Sequence, residues 1–226
     1  MKETKETNNK TPEIPIISMI NKIETNKPLE TLRLIEGQNV LAEFASIVSN
    51  IQISESFSDT VDAVLQCRGK IVTTGMGKAG HAMAKFASLL CSLGFPSCPV
   101  HPGEASHGDL GVLGKEDILF VASTSGKTRE IMEIVDLSKN IPVKQIIGIT
   151  SHPDSPIRNK ADIILDMGAI VEAGHLNMAP TSSILVMLAI TDSVALVAAK
   201  EKGLTKEEYA KYHHGGYLGK KARGEI

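Results

Sequence analysis

Tryptophan is absent from this chain of 226 residues, and Phe, Tyr and Trp together make up 4%. Stacking surfaces for bases or sugars need aromatic platforms, so single-stranded nucleic acid is a poor partner. Charge of one sign is missing as well: 24 Lys and Arg face 26 Asp and Glu, a formal net charge of −2. No basic field exists to draw nucleic acid or an anionic membrane. Cysteine is scarce, at Cys67, Cys91 and Cys98. An odd count without a C-x-x-C pair argues against a disulfide framework and predicts buried thiols in a reducing compartment. The N-terminal MKETKETNNK has no apolar export core. The longest apolar helical run, about Ile184 to Ala199, contains Thr191 and Asp192 and is expected to be too short to span a bilayer. These absences predict a cytoplasmic protein with neither nucleic acid nor membrane as partner.

What is present is a rhythm. Residues 1–28 are polar and lysine-rich, with a short apolar stretch at Ile14 to Ile23, and predict a disordered or arm-like segment. Helical spacing follows from Leu29 to about Val48, and again from Glu55 to Gln66 with Ser54 as its cap. Strand, loop and helix then alternate. Strands are expected at Lys70 to Thr74, Pro96 to Val100, Asp117 to Ala122, Lys144 to Thr150 and Ala161 to Asp166. Helices are expected at Ala79 to Leu93, Thr128 to Lys139 and Thr181 to Lys202, with a short one through Tyr209. Apolar strands between helices predict an α/β fold: a doubly wound, five-stranded parallel sheet flanked by helices, in one domain over 29–226.

In such sheets, ligands bind beyond the carboxyl ends of the strands. The first such loop, GMGKAG, brings Gly75, Gly77 and Gly80 close to a helix start, with Lys78 among them. Glycine permits close backbone approach, and helix N–H groups suit a phosphate. The spacing also fits a dinucleotide fingerprint, but no acidic residue ends the next strand, and a lysine inside the turn favours a phosphate. The second loop, STSGKT, offers Ser123, Thr124, Ser125 and Thr128. Such hydroxyls can wrap a phosphate or simply cap a helix. A third loop, HPGEASHGDLG, holds His101, Glu104, His107 and Asp109 without H-x-x-x-H or HExxH spacing. Acid–base use therefore ranks above metal use. Glu172 lies in a loop just before Thr181 and Ser182, and His213 and His214 lie in a Gly-rich tail that is either a surface segment or a catalytic arm.

GMGKAG, VHPGEASHGDLG, STSGKTREI, NMAPTSS and HHGGYLGKK, in this order, resemble the sugar-isomerase (SIS) domain family, in its arabinose-5-phosphate isomerase branch. The resemblance runs from about residue 30 to the end. It implies a flavodoxin-like sheet, a homotetramer, and interconversion of D-ribulose 5-phosphate and D-arabinose 5-phosphate for Kdo and lipopolysaccharide synthesis, with no cofactor. It implies that STSGKT binds the substrate phosphate, which turns GMGKAG into the loop that brings Lys78 over the reacting carbons. It places Lys78, His107, Glu130, Glu172 and His213 on the family's catalytic positions. Gly75, Gly77, Ser123, Thr124, Ser125, Thr128, Thr181 and Ser182 are then the substrate-binding positions. The chain departs from the family in two ways: it ends at Ile226 without the paired CBS modules of many members, and its tail reads HHGG rather than HPGG, so His214 competes with His213. Without CBS modules, feedback would act on the domain itself, with CMP-Kdo as the candidate ligand. A carboxylate base with its pKa raised by partial burial would move the proton through an enediolate, and Glu172 is assigned that part. A silent sensor of a phosphosugar or sugar nucleotide, or an isomerase of another phosphosugar, stands as the alternative.

Overall fold

The computed structural model describes residues 28–226. The arm expected over 1–28 therefore lies outside the described residues, apart from Pro28. The chain divides into two compact units, Met1–Ala42 and Glu43–Ile226. What is described of the first is the opening part of helix α1, Leu29–Ser49, on which Leu29, Leu34 and Leu41 are exposed.

In the second unit the alternation becomes β1 (Ile71–Gly75), β2 (Ser97–Pro99), β3 (Ile118–Ala122), β4 (Gln145–Thr150) and β5 (Ile163–Asp166). They pair in parallel in the order β2-β1-β3-β4-β5. Strands β1 and β3 are buried along their whole length. A central parallel strand has both faces covered, which is why IVTTG and ILFVA lack polar–apolar alternation. Helices α2 (Glu55–Leu65), α3 (Lys78–Ser92) and α6 (Ser182–Glu201) cover one face. There Phe86 of α3 meets Phe120 of β3 edge-on, with ring centroids 5.2 Å apart. Val64, Met83, Leu90, Ile147, Met187 and Val194 fill the same layer. The other face packs Val72, Leu119 and Val121 against Ile131, Ile134 and Val135 of α5 (Arg129–Ser138).

Several local expectations change. The HPGEASHGDLG loop is not irregular: it folds into α4 (Pro102–Ala105) and a 3₁₀ turn (Asp109–Val112), with the His101 ring accepting from Gly103 N–H at 3.1 Å. Ser54 stands at the N-cap of α2 but makes no capping bond, because its hydroxyl pairs with Ser56 Oγ at 2.9 Å. The glycine-rich tail is helical. There α8 (Tyr217–Ala222) follows α7 (Lys206–Tyr212), the short helix that was expected through Tyr209 and that a capping box of Thr205 and Glu208 starts. The cysteines are not uniformly buried: Cys91 is exposed, and Cys67 and Cys98 are half-buried.

Helix α6 also corrects a length argument. At 20 residues it is long and apolar enough to cross a membrane, whereas the sequence run looked too short. Its apolarity on all sides reflects burial among α2, α3 and the sheet. A helix apolar all round is the pattern of a core helix as much as of a span. The ion pair between Asp192 of α6 and Lys85 of α3 belongs to that packing.

Candidate active site

The strand order places β1 beside β3 at the centre, although β2 lies between them in sequence. The chain leaves β1 toward one edge and leaves β3 toward the other. The divergence opens a crevice at the carboxyl ends of β1 and β3. A cleft of about 310 Å³ lies there, bordered by Lys78 from one side and by Ser123, Thr124, Ser125 and Thr128 from the other. These five sequence-predicted residues come together although 45 positions separate Lys78 from Ser123 in the chain.

The glycine loop owes its shape to close packing. A Cβ on Gly80 would stand 2.5 Å from the Gly75 carbonyl oxygen, and one on Gly75 would stand 2.8 Å from the Ala79 carbonyl carbon. Both neighbours are backbone and cannot yield, so strand and helix meet only through glycine. Gly77, at φ 60°, turns the chain into the N-terminus of α3. Lys78 therefore opens the helix where its free N–H groups also point. Gly75 and Gly77 shape this wall from behind it.

The second loop is more than a helix cap. Thr128 occupies the N-cap position of α5 yet makes no capping bond; its hydroxyl pairs with Ser123 Oγ at 2.8 Å. Gly126 N–H closes a turn on the Ser123 carbonyl at 2.9 Å, and Lys127 N–H donates to Ser125 Oγ at 3.2 Å. The result is a ring of hydroxyls in front of a helix N-terminus, an arrangement suited to a phosphate.

Glu172 lies in the loop after β5 and is tied to the start of α6. Its Oε2 accepts from Thr181 N–H at 2.8 Å, Ser183 N–H at 3.2 Å and Thr181 Oγ1 at 3.3 Å. The Asn177 side-chain amide lies against the Gly174 and Glu172 carbonyls, and turned with its nitrogen toward them it donates to both, at 2.8 and 3.0 Å. Burial pushes the Glu172 carboxyl up, but the donor groups of Thr181 and Ser183 outweigh it and hold the pKa below the ordinary value. This reverses the expected direction: the carboxylate is stabilised as an anion at a helix N-terminus. Thr181 and Ser183 build this anchor, and neither Thr181 nor the buried Ser182 lines the cleft. Their neighbours Pro180 and Ile184 do line it, while Glu172 itself is not among the lining residues.

Three other predicted residues are not among those lining the cleft. His107 is exposed beyond α4. Glu130 sits half-buried in the first turn of α5, with Arg129 4.0 Å away. The packing of α4 on α5 brings these two segments together. His213 ends α7, stacked on Tyr209 with ring centroids 3.9 Å apart. Tyr212 lies against Gly94, where a Cβ would come within 3.0 Å of its hydroxyl. Gly94 follows the far end of α3, and 15 helical residues (α3) span roughly 22 Å. His213 thus stands at the opposite end of that helix from Lys78. His214 is exposed beside it.

Sequence reasoning missed His152, which lines the cleft from the β4 loop. Its Nδ1 lies 3.2 Å from both Ser151 Oγ and the Thr124 carbonyl oxygen. The available signal was a histidine directly after the third central strand, in SHPDSP. Among the described residues, no group of three or more His, Cys, Asp or Glu could hold a metal.

The SIS domain model matches residues 64–197. Arabinose 5-phosphate isomerase KdsD from Pseudomonas aeruginosa is 40% identical over 170 residues, 75% of this chain and 52% of that protein. The chain thus spans about half the length of the curated relatives it matches. A Bacteroides fragilis structure, given as that of a proposed phosphosugar isomerase involved in capsule formation, is 40% identical with TM-score 0.79, covering 82% of this chain and 99% of that one. An Escherichia coli CFT073 protein, solved in complex with arabinose 5-phosphate, is 30% identical with TM-score 0.77, over 83% of this chain and 99% of that one. On sequence and architecture together, this chain belongs to the SIS domain family.

Proposed function

We propose that the chain is an aldose–ketose isomerase that interconverts D-ribulose 5-phosphate and D-arabinose 5-phosphate. The observation that carries this reading is the pairing of Lys78 with the Ser123–Thr128 hydroxyl ring across the β1/β3 crevice. An anchor for phosphate and a cation for a developing oxyanion then face one another across a cleft sized for a pentose phosphate.

The phosphate binds Ser123, Thr124, Ser125 and Thr128. Glu172 takes the proton from C1 of the ketose, and the C1–H electron pair forms the C1–C2 double bond of an enediolate. Lys78 stabilises the oxygen that becomes negative. The proton returns to C2, and a hydroxyl proton moves from O1 to O2, which yields the aldose. Being ionised at neutral pH qualifies Glu172 to begin this cycle; its lowered pKa makes it a modest base that relies on Lys78 to acidify the carbon. His107 and Glu130 position sugar hydroxyls from the α4–α5 side. His213 assists ring opening or proton relay, and its distance from Lys78 within one chain favours delivery by a neighbouring copy in a homotetramer. Product use in Kdo and lipopolysaccharide synthesis, CMP-Kdo feedback in the same cleft and a cytoplasmic location belong to this reading.

Turnover of ribulose 5-phosphate against a panel of pentulose, hexulose and heptulose phosphates tests it. Efficient use of the five-carbon pair alone is expected. Binding without turnover of any member would make the protein a sensor, and preference for a longer sugar would make it a different isomerase. His213→Ala should abolish turnover and His214→Ala should leave it; the reverse would reassign the tail histidine.

A further inference from the structure

We infer that His152 is a third arm of the phosphate site, with its Nε2 aimed at a phosphate oxygen of the bound phosphosugar. The inference rests on the proposal that phosphate binds at Ser123–Thr128, and it adds a residue from a different strand end. Strand β4 ends at Thr150, next to β3 in the sheet. The loop beyond it therefore borders the hydroxyl ring from the side away from Lys78, and His152 borders the same cleft.

Two sets of contacts hold the ring there. Its main chain is pinned because Arg158 Nε donates to the His152 carbonyl at 2.7 Å, while the Arg158 guanidinium pairs with Asp166 at 2.7 Å. Its side chain is pinned at Nδ1, between Ser151 Oγ and the Thr124 carbonyl. That carbonyl also receives Ser151 N–H at 3.0 Å, Ser151 Oγ at 3.0 Å and Thr150 Oγ1 at 3.1 Å. A carbonyl has only two lone-pair directions. Ser151 N–H and Thr150 Oγ1 already fill both without the histidine, so the single proton of the Ser151 hydroxyl is free to go to Nδ1 instead of to this carbonyl. That assignment puts the ring proton on Nε2, which has no hydrogen-bond partner among the described residues. The imidazole then presents an N–H donor beside Thr124 and Ser125, where the phosphate oxygens arrive.

The arrangement gives His152 work distinct from that of Lys78. Lys78 faces the carbons that react; His152 faces the group that is only held. Loss of its ring should weaken binding of any phosphomonoester and leave the chemical step almost unchanged. One hydrogen bond to a charged group corresponds to roughly ten- to a hundredfold in affinity.

The test compares wild type with His152→Ala and His152→Gln, using inorganic phosphate as the probe in calorimetric titration and ribulose 5-phosphate in turnover. We expect His152→Ala to weaken phosphate binding and raise KM together, with kcat within about twofold, and His152→Gln to recover part of both through its amide N–H. Melting temperature of each variant separates this from a folding defect. A folded His152→Ala that binds phosphate as wild type does would overturn the inference, as would a fall in kcat at unchanged KM. Phosphate binding is read without turnover. A chain that fails to isomerise but loses phosphate in His152→Ala would leave this inference standing and remove the isomerase reading.

Discussion

Replacing Glu172 with Gln separates its two parts, helix anchor and base. The amide keeps the size of the side chain and one good acceptor, so Thr181 N–H and Ser183 N–H retain a partner. What is lost is the negative charge at the N-terminus of α6 and the charge-assisted character of its contacts. For a half-buried group, that loss is worth about 1 kcal/mol after solvent screening. In a chain of this size, it lowers the melting temperature by about 2–4 °C. The pH dependence follows from the pKa direction. The folded carboxyl titrates below its unfolded value, because the donors of Thr181 and Ser183 outweigh the upward push of burial. Its stabilisation is complete above the unfolded pKa and is lost as pH falls through the folded one. Thermal melts of wild type and Glu172→Gln should differ at neutral pH and converge in acid. Catalytically, solvent deuterium entry at C1 or C2 of the sugar phosphate should fall by roughly 100- to 10,000-fold, the usual range for a lost general base. A gap in melting temperature that does not close in acid would refute the anchoring argument. Exchange at the wild-type rate would refute the base assignment.

The remaining predictions probe the walls of the site and the sheet beneath it. Lys78→Ala should lower kcat by roughly 100- to 1,000-fold, the range for a lost oxyanion stabiliser, and raise KM by less; steady-state kinetics reads both. Gly126→Ala forces a Cβ to within 2.4 Å of Ser155 Cβ at φ 61°. It should cost about 2–4 kcal/mol in urea unfolding, against about 1 kcal/mol for Gly168→Ala, which has positive φ but open space. Equal costs would deny the close packing of the phosphate turn. Asp117 accepts from Lys70 N–H at 2.7 Å and Gly114 N–H at 2.8 Å and pairs with Lys70 Nζ. Asp117→Ala should cost about 2 kcal/mol by leaving those half-buried donors unpaired. Burial raises the Asp117 carboxyl but Lys70 and the amides lower it further, so acid melts should show the wild-type advantage fading as pH falls.

How much of this was legible in the sequence depended on the range of the interactions. Each of the five strands was expected within a residue or two of where it lies, because uninterrupted apolar runs bounded by loops reflect burial that each strand meets locally. Thr128 shows where local reading stops. Its position before α5 is that of a cap, and only the folded chain shows its hydroxyl turned toward Ser123. The short 3₁₀ and α turns of HPGEASHGDLG and the helix in the tail were hidden by glycine and polar residues, whose weak propensities are overridden by neighbours. Family motifs named Glu172, but the sign of its pKa shift depends on donors from Thr181 and Ser183, which reach it only when α6 is laid beside its loop.

By itself, then, the sequence determined the layers: period and apolar runs are properties of the chain, and they commit it to a parallel sheet between helices. It also determined which side chains carry charge and hydroxyls at the strand ends. The tertiary structure alone decided that Lys78 and Ser123 share a crevice, because adjacency of β1 and β3 is a matter of strand order and not of sequence distance. It decided that His152 joins them from β4. It also decided that His213 stands at the far end of α3 from Lys78, since the path of α6 and α7 carries the tail away from the cleft.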